Sequence, residues 1–296
     1  MPAAIASTAV NADPRLSGSI ARASAAATAC LERARVHPDK VDVLINVGVY
    51  RDENMAEPAM SALIQKNVGT NLDYLRSGTP ALSFDLMNGA CGVLNAVQVA
   101  DAFLTTGDAE FALVVSGDTH PSGRHDPGFG YASVGAAMLL SRTAEPGAGF
   151  GRVSVASADA DAPGVVGYAD LDAVDTRGRE MIWVRRDPDY AARLVEFAAA
   201  EAQRYATAER LDLSQTLLVA SQPTPTFAAE LAGRLGIAPA AVVTVQDVDG
   251  DPHTSALTLA YHQAVEAGRA QAYPQVLFVA AGAGLSVACS VYHRAG

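Results

Sequence analysis

Apolar residues recur along the chain in two alternating patterns: a helical spacing, and short continuous runs. The segment from Ser17 to Arg35 is rich in alanine and spaces its larger apolar residues as an amphipathic helix does. A compact apolar run from Val41 to Val47 follows it and predicts a buried strand. The same order returns in the second half, at Tyr190 to Tyr205 and Thr216 to Ala220. This recurrence predicts an internal repeat.

The repeat continues through the rest of each half. A second helical segment precedes a short strand, a long alanine-rich helix, a strongly apolar strand and a closing strand rich in glycine and alanine. In this order the matched pairs are Ala56 to Gly69 with Thr226 to Gly236, Phe84 to Leu86 with Val245 to Val248, Cys91 to Thr106 with His253 to Ala267, Phe111 to Ser116 with Gln275 to Ala280, and Val134 to Leu140 with Gly284 to Ser290.

Strands that alternate with helices predict an α/β fold with mostly parallel, buried central strands. We assign residues 1–150 to the first half and residues 151–296 to the second. The segment from about Arg142 to Asp189 is rich in glycine, aspartate and proline, which predicts a crossover of loops between the halves. We expect the two halves to pack into one globule around a pseudo-twofold axis.

Charge and cysteine content narrow the function classes. The 296-residue chain has a formal net charge of -11, whereas nucleic-acid binding needs clustered Lys and Arg. Its three cysteines are widely spaced, so they form neither a metal motif nor a disulfide framework. We therefore expect a cytoplasmic protein with no metal site. No uninterrupted apolar stretch reaches membrane-spanning length, so we expect no membrane association.

Cys91 is the first candidate for chemistry. It stands where a β-like run breaks at small residues and a helix begins. The free N–H groups of a first helical turn carry partial positive charge, which favours a thiolate over a thiol. The sequence therefore predicts an activated nucleophile at Cys91.

The repeat pairs Cys91 with His253. When Asp85 is aligned with Asp247, both residues open the equivalent helix of their half. Equivalent helix starts near a pseudo-twofold axis can face each other, and a Cys and a His that meet in this way form a nucleophile and its base. Alternatively, His253 is only a polar residue in the turn before its helix.

Four segments in the same order resemble motifs of the thiolase superfamily, most closely its β-ketoacyl-acyl-carrier-protein synthase III branch. Phe84 to Gly92 resembles the nucleophile motif, and Gly250 to Ala256 resembles the Gly-Asn-Thr-Ser-Ala motif. Gly282 to Ala288 is similar to the glycine-rich oxyanion turn, and Thr176 to Met181 to the Gly-Arg-Glu stretch. The resemblance implies two pseudo-symmetric βαβαβαββ halves in a five-layered αβαβα arrangement.

The resemblance also implies a reaction. In that family the cysteine accepts an acyl group as a thioester from coenzyme A or an acyl carrier protein, without a bound cofactor. A His and an Asn then support the decarboxylation of a malonyl thioester, whose enolate attacks the acyl group. Here the resemblance places the oxyanion hole at the backbone N–H groups of Cys91 and Ala283, where preformed donors meet developing negative charge.

This sequence departs from the family pattern at the catalytic positions. Ser221 stands where the family has its His, and His253 stands where it has its Asn. Ser221 cannot act as an acid or base near neutral pH, although it can donate a hydrogen bond. His253 can take over proton transfer. Cys91 also lies one residue farther from Asp85 than the family pattern has it.

Further substrate contacts are expected around the second half. Gln222 keeps the family's Gln, and Thr224 falls near its Asn. Arg177 and Arg179 belong to the densest basic cluster and are candidates for the phosphate of a pantetheine arm or for an acidic carrier protein. The alternative is a solvated Arg-rich face with acidic neighbours.

Three functions remain open. The first is acyl loading on Cys91 and Claisen-type transfer to a carbon nucleophile, in fatty-acid-like or secondary-metabolite biosynthesis. The second is acyl transfer to oxygen or nitrogen without condensation, and the third is a non-catalytic partner subunit of a heterodimeric condensing enzyme. The expected partners are an acyl carrier protein or coenzyme A thioester, and a second subunit in a homodimer or in a heterodimer with a related ketosynthase.

Overall fold

The computed structural model describes residues 2–73, 75, 78, 80–123, 126, 128–158, 164–168, 182–282 and 284–294. These residues form strands that alternate with helices through both halves of the chain. The strands are β1 Ala3–Asn11, β2 Val43–Asn46, β3 Leu82–Asp85, β4 Phe111–Asp118, β5 Val134–Arg142, β6 Gly149–Phe150, β7 Ser154–Ser157, β8 Val165–Tyr168, β9 Trp183–Arg186, β10 Thr216–Ala220, β11 Gln275–Gly282 and β12 Ser286–His293.

The helices agree with the apolar periodicity of the sequence. The helices of the first half are α1 Ser19–Ala34, α2 Met60–Val68 and α3 Gly92–Thr106, and those of the second half are α4 Tyr190–Ala208, α5 Phe227–Leu235 and α6 Ala256–Glu266. Several of them, such as α2 and α5, end at a glycine with positive φ, a conformation that costs glycine little.

Two five-stranded sheets form the framework. The first has the order β1-β5-β4-β2-β3, and the second has the order β10-β11-β12-β6 with β7 also paired to β12. Strands β2, β3 and β4 run parallel, as do β10 and β11. The closing strands β5 and β12 are antiparallel to their neighbours. The sheets are mixed: the parallel central strands agree with the prediction, and each closing strand turns back along the strand before it.

Helices cover both sheets on both faces. Helices α3 and α6 lie between the sheets, in an apolar core that joins side chains of the two halves. Helices α1 and α2 pack on the outer face of the first sheet, and α4 and α5 pack on the outer face of the second. The arrangement is the five-layered αβαβα fold that the resemblance implied, and it brings the starts of α3 and α6 together.

Strand β1 was not predicted from the sequence. It pairs with β5, and the register shifts between Ile5 and Ser7. A bulge of this kind interrupts the alternation of buried and exposed positions, so the strand lacks the regular period of two that identifies strands in a sequence.

The predicted crossover contains short strands where it is described. Strands β6 and β7 both pair with β12, and β8 pairs with β9 in a separate two-stranded sheet. The division at residue 150 remains a prediction, and β6 lies beside it in the second sheet. Within the described part of the chain, no helix combines the length and apolar character needed to cross a bilayer.

Candidate active site

A cavity of about 310 Å³ opens between the starts of α3 and α6. Residues of both halves line it, because the turn before α3 contacts the turn before α6. The sequence predicted that these two helix starts would face each other. Small and aliphatic residues form much of the wall, and its aromatic and charged side chains include Tyr50, Tyr131, Tyr190, Arg186, Asp251 and His253.

His253 reaches this wall from a strained turn. It begins the short 3-10 turn His253–Ser255 that leads into α6, and its φ of 48° lies in the left-handed region. A residue other than glycine rarely adopts this conformation unless its surroundings enforce it. Here the backbone N–H of His253 donates to Asp251 Oδ1 at 2.8 Å, and the ring lies 4.6 Å from that of Tyr131.

Asp118 orients the His253 ring from the other half of the molecule. It ends β4, and its Oδ2 lies 2.8 Å from His253 Nδ1. The carboxylate also accepts hydrogen bonds from the backbone N–H groups of Val49 and Tyr50 and from both donors of Thr254. Because a carboxylate can only accept, Nδ1 carries the proton. The second ring nitrogen, Nε2, is then left for a partner in the cavity.

The two side chains shift each other's protonation. Burial alone would lower the pKa of His253, but the carboxylates of Asp118 and Asp251 outweigh it and the pKa is raised. Burial alone would raise the pKa of Asp118, but His253 and the hydrogen bonds from Thr254 and Tyr50 hold it below its ordinary value. His253 therefore remains protonated to a higher pH than a solvent-exposed histidine does.

Cys91 lies at the predicted helix start but faces the core. It closes the 3-10 turn Gly89–Cys91 directly before α3, is fully buried, and places its Sγ 3.8 Å from the carbonyl oxygen of Ala280. The thiol is not part of the cavity wall. Burial raises the pKa of Cys91 to about 12, which opposes the thiolate that the helix start was predicted to favour, and the activated nucleophile stays a prediction.

The neighbouring Ala90 occupies the wall instead. Ala90 lines the cavity, and a Cβ placed on Gly282 would lie only 3.0 Å from the Cβ of Ala90. Of the two neighbouring side chains in this turn, it is therefore Ala90 that borders the cavity.

The Cys91 N–H is not free to bind an oxyanion. It donates to the carbonyl oxygen of Asn88 at 3.0 Å, so this half of the predicted oxyanion hole is occupied within the chain. Ala283, the other predicted donor, lies outside the described residues, as do Arg177 and Arg179. Arg186, from the same basic cluster, does line the cavity and lies over the Tyr131 ring at 5.0 Å.

Ser221 has a structural role in this arrangement. Its side chain is buried, and its Oγ accepts a hydrogen bond of 3.0 Å from the backbone N–H of Ala281, at the end of β11. Gln222 is also buried, and its Nε2 has no partner among the described residues. Of the residues between Ser221 and Thr224, it is Pro223 that lines the cavity.

The role of Asp118 was missed in the sequence. A buried carboxylate at the end of an apolar strand was the available signal, because such a group needs hydrogen-bond donors. Among the described residues, no three or more His, Cys, Asp or Glu side chains are grouped to hold a metal ion.

Sequence comparisons agree with this fold. Residues 208–294 match the family model of the 3-oxoacyl-[acyl-carrier-protein] synthase III C terminal. The chain is 27% identical over 272 residues to β-ketoacyl-[acyl-carrier-protein] synthase III of Sodalis glossinidius, covering 88% of this chain and 80% of that protein. It is 31% identical over 97 residues to the acyl-CoA:acyl-CoA alkyltransferase of Xanthomonas campestris, a match covering 33% of this chain and 26% of that enzyme.

Solved structures show the same fold over the whole chain. FabH, the 3-oxoacyl-(acyl carrier protein) synthase III of Pseudomonas aeruginosa, superposes with a TM-score of 0.84 at 18% identity, covering 100% of this chain and 99% of FabH. A cysteine-to-serine variant of Xanthomonas campestris OleA with bound lauric acid and lauroyl-CoA gives a TM-score of 0.78 at 17% identity and 99% coverage of both chains. The chain therefore has the fold of these two proteins, and its residues 208–294 match the synthase III C-terminal family model.

Proposed function

We propose that the protein is an acyltransferase that passes an acyl group from a coenzyme A or acyl-carrier-protein thioester directly to an oxygen or nitrogen nucleophile. The observation that carries the proposal is His253 on the cavity wall with Asp118 bound behind it, while Cys91 does not line the cavity. Similarity to enzymes named as β-ketoacyl-[acyl-carrier-protein] synthases III and as an acyl-CoA:acyl-CoA alkyltransferase supports a thioester as the donor.

The transfer needs one base and a positioned thioester. His253 Nε2 takes the proton of the acceptor's hydroxyl or amine as its oxygen or nitrogen attacks the thioester carbonyl. The new carbon–oxygen or carbon–nitrogen bond forms, and the carbon–sulfur bond breaks. The leaving thiolate then takes the proton from the imidazolium, so the products are an ester or amide and a free thiol. Asp118 holds the ring in the required tautomer and stabilises the imidazolium.

Positive charge at the cavity suits the donor. The guanidinium of Arg186 lines the wall beside the aromatic rings, and Arg51 lies there in an ion pair with Asp85 at 2.6 Å. An Arg side chain recognises a phosphate such as the one on a pantetheine arm. The same proposal includes a cytoplasmic location and assembly as a homodimer or as a heterodimer with a related ketosynthase.

A second candidate is acyl loading on Cys91 followed by Claisen-type condensation. Its support is the position of Cys91 directly beside Ala90, together with the similarity to β-ketoacyl-acyl-carrier-protein synthases. This route requires the sulfur to turn out of the core and to lose a proton despite a pKa of about 12. Direct transfer requires neither change, so the geometry favours it.

Intact-protein mass spectrometry combined with a free-thiol assay separates these functions. Wild type, Cys91→Ala and His253→Asn proteins are incubated with a panel of acyl thioesters and with alcohol, amine and malonyl-thioester acceptors. Direct transfer predicts thiol release and an ester or amide product that persist in Cys91→Ala and are lost in His253→Asn.

The other outcomes are equally specific. An acyl adduct on Cys91 with carbon dioxide release from the malonyl thioester would replace direct transfer by condensation. If no donor and acceptor pair gives turnover or an adduct, both enzyme functions fail, and the non-catalytic partner subunit is the remaining prediction.

A further inference from the structure

Arg22 is buried without a partner for its charge. It lies on α1 with only 6% of its surface exposed, and its Nε and Nη1 have no hydrogen-bond partner among the described residues. Burial lowers the pKa of its guanidinium, and the nearest carboxylate that opposes this effect, Asp13, is already paired with Arg15 at 2.6 Å. A buried cation in this state is costly unless something supplies an acceptor.

A second cavity, of about 520 Å³, lies directly beside Arg22. Pro14, Phe129 and Ala132 give it apolar walls, and Arg22 lines it as well. Tight packing fixes the backbone of Arg22, since a Cβ placed on Gly135 would lie 2.3 Å from the Arg22 carbonyl oxygen. The backbone of Arg22 is therefore held close to β5, and the side chain borders the cavity.

Among the described residues, three aspartates lie at the rim of this cavity, and His120 lines it beside Asp126. Asp126, Asp247 and Asp249 line it, and all three are exposed. These carboxylates repel a ligand that carries several negative charges, whereas a single anionic group that reaches past them meets Arg22. The planar guanidinium matches a carboxylate, with which it can form two parallel hydrogen bonds.

We propose that this second cavity binds a small ligand through a single carboxylate group held by Arg22. The ligand's other end carries no further negative charge, because it lies among the three rim aspartates. The site is separate from the cavity of His253: the backbone pairing of Tyr131 with Asp251 stands between them, and Tyr131 borders both.

Thermal unfolding with defined carboxylates tests the proposal. Propionate is titrated against wild type, Arg22→Met and Arg33→Met at constant ionic strength, with succinate as the dicarboxylate probe. Arg33→Met is the matched control, because Arg33 lies on the same helix but makes an exposed ion pair with Glu266. We expect a saturable rise in Tm for wild type and Arg33→Met, a smaller rise with succinate, and no rise for Arg22→Met.

The Tm of Arg22→Met in the absence of propionate provides a second readout. Replacement of a buried unpaired cation by an apolar side chain of similar length is expected to leave Tm unchanged or to raise it. A Tm well below that of wild type would show that Arg22 serves the fold, and would overturn the proposal. An equal propionate response in Arg22→Met, no response in wild type, or an equal or larger response to succinate would overturn it as well.

A spectroscopic measurement keeps the test independent of the variant's folding. The Nε–H resonance of Arg22, observed by NMR in wild-type protein with labelled arginine, should shift saturably with propionate, since that N–H gains an acceptor. Arg33 should show no such shift. If the Arg22 resonance stays unchanged at propionate concentrations that raise Tm, the carboxylate binds elsewhere and the proposal fails.

Discussion

Replacement of Asp118 by Asn should uncouple His253 from its base function while the fold survives. Asn is nearly isosteric with Asp and keeps one oxygen, which can still accept from the N–H groups of Val49 and Tyr50. Its amide nitrogen, however, is a donor where Oδ2 was an acceptor. His253 Nδ1 must then become the acceptor, which moves the ring proton to Nε2 and removes the lone pair that would act as base.

The magnitudes follow from burial and from the hydrogen bonds of Asp118. Removal of one partner from a buried ion pair costs about 3–5 kcal/mol, and the retained oxygen favours the lower end of that range. For a chain of 296 residues we expect Tm to fall by roughly 5–8 °C. The corresponding Asp-to-Asn change in a Ser-His-Asp triad lowers kcat by about 10⁴-fold, so we expect a loss of about 10²–10⁴-fold in acyl transfer.

The pH profile of kcat/KM provides the specific assay. In wild type the rate should rise with pH as His253 loses its proton, with a midpoint above the ordinary histidine value of about 6.5 because its pKa is raised. In Asp118→Asn the burial that lowers the pKa is no longer offset by Asp118, so the midpoint of the residual activity should move to lower pH. If Asp118→Asn changes neither the midpoint of the pH profile nor kcat, the proposed role of His253 and Asp118 in proton transfer is refuted.

Asp42→Asn is the matched control. Asp42 accepts hydrogen bonds from the backbone N–H groups of Glu110 and Phe111, at the opposite end of β4 from Asp118. Its replacement should lower Tm without moving the pH profile. If both variants shift the profile equally, the shift reports general destabilisation instead of the state of His253.

Three further measurements test other parts of the structure. All three cysteines are buried with a raised pKa, so thiol reagents should modify native protein far more slowly than unfolded protein. Ser221→Ala removes the acceptor of the Ala281 N–H and should cost about 1–3 kcal/mol in denaturant unfolding. The raised pKa of His253 stabilises the fold below about pH 6.5, and this contribution should fade as pH rises through the folded pKa. The pH dependence should be absent in His253→Asn.

The repeat in the sequence predicted an α/β fold of two halves and the meeting of the two helix starts, and the family resemblance supplied the five-layered arrangement. Local periodicity identified α1, α3 and α6, and the matched order of segments aligned Cys91 with His253. The expected pseudo-twofold symmetry then predicted that these helix starts meet, although no distance was known. Strand β1 was not located from the sequence, because its register shift breaks the alternation of buried and exposed positions on which such a prediction depends.

The direction of side chains at the site could not be predicted in the same way. Which of Ala90 and Cys91 faces the cavity depends on the rotation within one short turn, and a residue-level pattern does not define that rotation. The Asp118 contact joins residues 135 positions apart, so it appears only when both halves are folded. Ser221 was expected near substrate, but its hydroxyl serves the junction between β10 and β11.

The separation of Asp118 and His253 along the chain has a consequence for how the two halves assemble. Asp118 belongs to the first half and His253 to the second, so neither half alone contains a proton-transfer pair. A newly made first half holds a buried carboxylate that still lacks its strongest partner, and docking of the second half satisfies it. The His253–Asp118 pair thus contributes to recognition between the halves. Two separately produced fragments should regain catalytic competence only in proportion to how well they reassociate.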